Sequence, residues 1–109
     1  MAGVTDLYGD LLRERVEFEE LMQNHIARLC EHAGPYVAAL VPEDREEFLS
    51  AALAAAWRER EGFDPTAGSL YQWWEQCLRS AARTRDRWYV FNSHGMRVPV
   101  LADNLGRGR

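Results

Sequence analysis

Two blocks of apolar residues at helical spacing, separated by one turn-rich segment, constrain this chain more than any other feature of it. In the first block Phe48, Leu49, Ala52, Leu53, Ala56 and Trp57 fall at i, i+1, i+4, i+5, i+8 and i+9, which is one stripe of a helix. Its alanines permit a close helical neighbour. Asp44, with Glu47 three residues on, gives that helix a capping-box-like start, and Gly62 closes it. In the second block Leu70, Trp73, Trp74, Cys77, Leu78, Ala81 and Ala82 form the apolar face, with Ser69 as cap and Gln72 at the capping-box partner position. The opposite side carries Gln72, Gln76, Arg79 and Arg83. Between the blocks, Phe63 to Gly68 is dense in turn formers. Phe48, Leu53, Trp57, Leu70, Trp73 and Cys77 are expected to share one core.

The flanks are read around this pair. Phe18, Leu21, Met22, His25, Ile26, Leu29 and Ala33 recur at helical spacing, so a first helix is expected from Asp6 to Ala33, capped by Thr5 or Asp6, with a break near Arg15–Glu17. Gly34-Pro35 should end it, because glycine suits a C-terminal cap and proline cannot continue the hydrogen-bond ladder. A short helix, Tyr36 to Val41, follows and ends at Pro42. After Asp86, Trp88–Phe91 and Met96–Val100 are β-prone around Asn92–Gly95, a hairpin signature in which Pro99 makes the second strand an edge. Gly106–Arg109 reads as a tail without fixed structure. The fold class expected is all-α, a three- to four-helix bundle with a short hairpin near the C-terminus. Residues 1–88 form the helical domain and residues 89–109 a partly flexible extension.

With 109 residues the chain is one domain with one core. No run of eighteen apolar residues exists and Met1–Arg13 lacks the pattern of a secretory signal, so a cytoplasmic protein is expected. Cys30 and Cys77 read as core thiols. His25 and His32 share a helix face with residue 29, while Cys30 points about 100° away, so no metal set assembles, and His94 stands alone. No nucleophile–base pair or phosphate-cradling glycine loop is visible, and neither enzymatic activity nor a cofactor is expected. The net charge of -4 conceals a polarity. Residues 1–50 hold eleven acidic side chains and four arginines, whereas residues 76–109 hold seven arginines against Asp86 and Asp103. All thirteen basic residues are arginine, which suits phosphate contact and base stacking better than lysine does. Such a division suggests an anionic partner, or two partners on two faces.

The segment Asp44–Arg83 resembles region 2 of the sigma-70 family, its smaller extracytoplasmic-function members above all. Those sequences combine an acidic start, a D-L-V-Q-E-like helix, A-W-R, and F-D-P-x-x-G-S-[FL]-x-x-W ahead of a basic helix. Here Glu46-Glu47-Phe48-Leu49 is followed by Ala56-Trp57-Arg58, then by Phe63-Asp64-Pro65-Thr66-Ala67-Gly68-Ser69-Leu70-Tyr71-Gln72-Trp73, without a gap. Phe18-Glu19-Glu20-Leu21 also resembles the family's F-E-E-L, so the likeness extends over about residues 6–88. Departures are Ser50 and Ala51 in place of Gln and Glu, Ala67 at a commonly basic position, and Glu75 beside the basic face.

The resemblance implies that the Asp44–Arg60 helix docks on the clamp of the RNA polymerase core through Glu47, Ser50, Ala51 and Arg58. It further implies that Tyr71, Gln72, Gln76, Arg79 and Arg83 contact single-stranded promoter DNA at the −10 element. Aromatic platforms, polar edges and arginines are what single-strand capture requires. The sequence has no −35-reading motif, so a second protein would supply that contact. Two other readings stand beside this one. The first is a phage or mobile-element regulator that uses the sigma-like surface to occupy polymerase or a sigma partner without reading a promoter. The second is a helical scaffold for protein interaction. No membrane partner is expected.

Overall fold

The structure, a computed structural model, describes residues 3–106, and describes the side chains of residues 9–66 and 68–106. It is mostly helical. Three α-helices occur among the described residues: α1 (Gly3–Val37), α2 (Pro42–Arg58) and α3 (Ala67–Ala82). An antiparallel hairpin follows, β1 (Arg87–Phe91) and β2 (Arg97–Leu101), with single 3-10 turns at Arg60–Gly62 and Ala102–Asn104. The tail expected at Gly106–Arg109 lies, beyond Gly106, outside the described residues.

α1 departs from the sequence expectation twice. It has no break near Arg15–Glu17, and it runs through Gly34-Pro35 to Val37. Proline here removes only one ladder bond, and the Ala38 N–H still donates to the Gly34 carbonyl at 2.9 Å, so the last turn closes. The separate helix expected at Tyr36–Val41 therefore does not form. Tyr36 and Val37 end α1, and residues 39–41 lie along β1 instead. The Val41 N–H donates to the Tyr89 carbonyl and the Phe91 N–H to the Ala39 carbonyl, each at 3.0 Å.

Pro42 opens α2 rather than ending a preceding piece, since its fixed φ suits the first helical position and its missing N–H would find no partner there. Val41 precedes it with no side-chain cap. Asp44 is thus inside the helix, not capping it, and is 4% exposed. Its carboxylate accepts the Tyr89 N–H at 2.7 Å and Arg85 Nη1 at 3.0 Å, joining α2 to the start of β1. α3 likewise begins before the expected Ser69 cap. Asp64 Oδ1 accepts both the backbone N–H and the hydroxyl of Thr66 at 3.0 Å, fixing the turn from which the helix starts.

The core gathers Leu29, Leu40, Phe48, Leu70, Leu78 and Trp88, all at 0% exposure, with Cys77 and Trp73 beside them. Three of the four indoles are bonded to a backbone carbonyl: Trp73 Nε1 to Glu59, Trp74 Nε1 to Leu29 and Trp88 Nε1 to Ala82, at 2.8–2.9 Å. That arrangement lets tryptophan be buried without an orphaned donor. Two expected core residues are not enclosed. Leu53 is 47% exposed and Trp57 only half-buried, because the α2 stripe is wider than the surface α3 covers. Trp57 instead meets Phe18 edge-on at 5.3 Å, with the Arg60 guanidinium 3.9 Å above its ring. Cys30, expected inside, is exposed on the outer side of α1.

The hairpin belongs to this core. The expected boundary at residue 88 falls within β1, where Trp88 is fully buried and meets Phe48 edge-on at 5.3 Å. Leu105 returns into the same cluster. Because Tyr89 and Phe91 bond outward to residues 39–41, Trp88 and Val90 are the residues that bond inward to β2. Pro99, opposite Tyr89, therefore faces its nitrogen to the free edge and costs no ladder bond. It also removes a donor from that edge, a protection against strand addition.

Candidate functional site

The residues with the most chemistry lie on α3 and in the groove between α3 and α1. At 100° per residue Gln72, Gln76, Arg79 and Arg83 fall within about 60° of arc and extend over about 17 Å of helix. All four are exposed. The apolar partners Trp73, Cys77 and Ala81 on the opposite side fix this strip outward by packing into the core. Tyr71 does not share the strip. It turns toward α1 and stacks on His32, with ring centroids 5.3 Å apart and planes 17° from parallel.

Glu75, between Tyr71 and Arg79, is the hub of the groove. Its Oε1 lies 2.9 Å from His32 Nε2, and its Oε2 accepts the Tyr36 hydroxyl and, at 3.1 Å, Arg79 Nε. Burial opposes ionisation of Glu75, but the hydrogen bonds from Tyr36, His32 and Arg79 outweigh it and hold the carboxyl below its usual range. The Tyr36 phenol moves the other way: burial, then the bond to Glu75 and its charge, push it up to about 12. Gly106 closes the groove with φ +87°, and a Cβ there would stand 2.7 Å from the Tyr36 ring. Only glycine meets both conditions without displacement. The groove has a volume of about 370 Å³, with Arg28, Glu31, His32, Tyr71 and Glu75 among its walls.

Glu47, Ser50 and Arg58, expected to face a polymerase, are exposed on the outer side of α2. Ala51 is half-buried and packs against the core, so it presents little to a partner. Glu47 is not a free carboxylate, because Arg85 Nη1 bonds it at 2.9 Å as well as Asp44. These two hydrogen bonds, together with its seat 4.4 Å over Trp88, take Arg85 out of the basic run at the end of α3. Arg97 is joined to Glu43 at 3.2 Å in the same way. Arg58, Arg83 and Arg87 have no ion pair among the described residues.

The Glu75 hub and the Asp44–Arg85 link are what sequence reasoning missed. Spacing places Glu75 one turn before Arg79, which is a signal for the pair, but His32 and Tyr36 reach it from a helix some forty residues away. No group of three or more potential metal ligands forms among the described residues. No described helix is long and apolar enough to cross a membrane. Comparison of the chain with protein-family models, with curated proteins and with solved structures found no match in any of the three.

Proposed function

We propose that the protein is a sigma-like subunit of transcription initiation. In this reading it binds the RNA polymerase core through the outer side of α2 and contributes to −10 promoter recognition through the outer strip of α3. A separate chain supplies the −35 contact. The observation that carries the proposal is the strip itself, with two amides and two guanidinium groups exposed in line along about 17 Å, the length of about five phosphates of one strand at 3.4 Å each. Amides suit base edges and arginines suit phosphates, so such a line can follow a single strand. The test is retention of polymerase on promoter DNA with a pre-opened −10 bubble. Arg79→Ala with Arg83→Ala should lower retention several-fold while polymerase still co-purifies. Capture of polymerase by the wild type with no retention on any bubble, with or without a −35-binding partner, would end the promoter role.

One observation favours the alternative of a polymerase-binding regulator that reads no promoter. Arg79 is held by Glu75, so the strip offers one arginine fewer than its sequence suggests. Under that reading Glu47→Arg with Arg58→Glu abolishes polymerase capture, and changes on α3 have no effect on transcription.

A further inference from the structure

α1 is a 35-residue helix, and from Asp10 to Glu17 every side chain on it is exposed. In proteins a helix draws most of its stability from packing of an apolar face, and this stretch buries none of its own against the described residues. Yet it is not a polar helix. Leu11, Leu12 and Val16 are 52%, 48% and 54% exposed. Leu11 and Leu12 continue into a groove of about 860 Å³ between α1 and α2, where Ile26 and Leu53 are also open at 41% and 47%, and Val16 borders it beside Glu19 and Gln23. Among the described residues, the only charged ones lining that groove are Arg15 and Glu19, bonded to each other at 3.3 Å.

We propose that this groove is a self-association site, filled by α1 of a second copy lying antiparallel across a two-fold axis near Glu17. Three features of the face select that occupant. Leu12, Arg15, Glu19, Gln23 and Ile26 share about 80° of arc, so the open apolar residues and the two charges lie on one side of α1. An antiparallel copy crossing at Glu17 sets Arg15 opposite Glu19 of the second copy, and Glu19 opposite its Arg15, with Leu12 beside Met22. A parallel copy would oppose like charges instead, which costs specificity. A strongly basic or acidic partner helix would meet a like charge at either Glu19 or Arg15, since the lining is balanced. The two-fold arrangement also fills both grooves with one contact and closes on itself, as isologous pairs do.

Sedimentation equilibrium of the full chain in reductant, which keeps Cys30 from linking copies, reads the proposal directly. The wild type should pass from monomer to dimer between about 1 and 100 µM, the range of a modest interface. Leu12→Glu with Val16→Glu should be monomeric throughout. Both positions are exposed, so tryptophan fluorescence and the melting of the core should not change. Arg15→Glu alone should raise the dissociation constant at least about tenfold, and Arg15→Glu with Glu19→Arg should restore it to within about threefold, because the pairing is only reversed. A wild type that stays monomeric at about 100 µM overturns the proposal. So does a dimer indifferent to the leucine and valine changes, or a charge reversal that rescues nothing.

Discussion

Tyr36 brings several constraints to one side chain. It ends α1, stacks on Phe48 with ring centroids 5.6 Å apart, accepts Gly106 against its face and donates its phenol proton to Glu75. The proton is bound more tightly in the folded chain, at about 12, than at the ordinary value of 10.0. A group whose folded value is raised contributes stability that is complete below its unfolded value and is lost as the pH climbs through the folded one. Cys77, 1% exposed, behaves alike: burial lifts its thiol from 9.0 to about 11. Stability should therefore decline from about pH 9 to about pH 12, the Tyr36 share being on the order of 2–3 kcal/mol at 1.36 kcal/mol per unit. Denaturant midpoints measured across that range check it. Tyr36→Phe should remove the Tyr36 share between about 10 and 12 and leave the Cys77 decline between about 9 and 11. Glu75 has the opposite sign, since its lowered value means stability lost only as the pH falls below the usual carboxylate range.

Among the elements, α2 and the hairpin are joined at a carboxylate whose role no local pattern reveals. Asp44 looked like a cap, because acidic residues collect at helix starts. Proline at the first position made a cap unnecessary, and the carboxylate went instead to the Tyr89 N–H and Arg85. Removing it leaves the Tyr89 N–H without its acceptor and the half-buried Arg85 guanidinium with Glu47 alone. Asp44→Ala should cost about 2–3 kcal/mol, and Asp44→Asn less, since an amide oxygen still accepts one bond. Thermal melts give the size of the loss. Amide exchange gives its place, and Tyr89 should lose protection before α3 does. The same contrast explains what was legible. Helical periodicity located α2 and α3, and turn chemistry located the hairpin, because both are local signals. Leu53 and Trp57 belong to the stripe yet are not enclosed, because a stripe says which side of a helix is apolar, not how much of it a neighbour covers. The end of α1 is not legible from Gly34-Pro35, a local stop signal, because the contacts of Leu40, Val41 and Tyr36 that set it come from β1, Phe48 and Glu75. The α3 strip was readable from spacing, whereas the groove behind it depends on two helices meeting.

At the scale of the whole molecule, folding rearranges the charge polarity of the sequence. The acidic start of α2 lies against the basic hairpin, so Arg85 and Arg97 are spent on Asp44, Glu47 and Glu43, and Arg79 is spent on Glu75. Of the arginines between residues 76 and 106, only Arg83 and Arg87 remain without an ion pair among the described residues. Single strands release counterions with a slope of about −0.7 per neutralised phosphate, so two free arginines give a salt dependence of about −1.4. The chain alone should hence bind DNA weakly. Glu75 then controls how much of the strip can act. Glu75→Gln keeps an oxygen for the Tyr36 hydroxyl and a polar partner for His32, but gives up the charge that holds Arg79. If the strip carries a strand, this variant should retain a pre-opened −10 bubble more strongly than the wild type in the presence of polymerase. Its salt slope should steepen by about 0.7, one phosphate's worth. Adding Arg79→Ala should return both quantities to the wild-type values, which separates the release of Arg79 from a general loss of negative charge. Retention that is unchanged by Glu75→Gln, in a variant that still captures polymerase, places no strand along α3 and favours the regulator that reads no promoter.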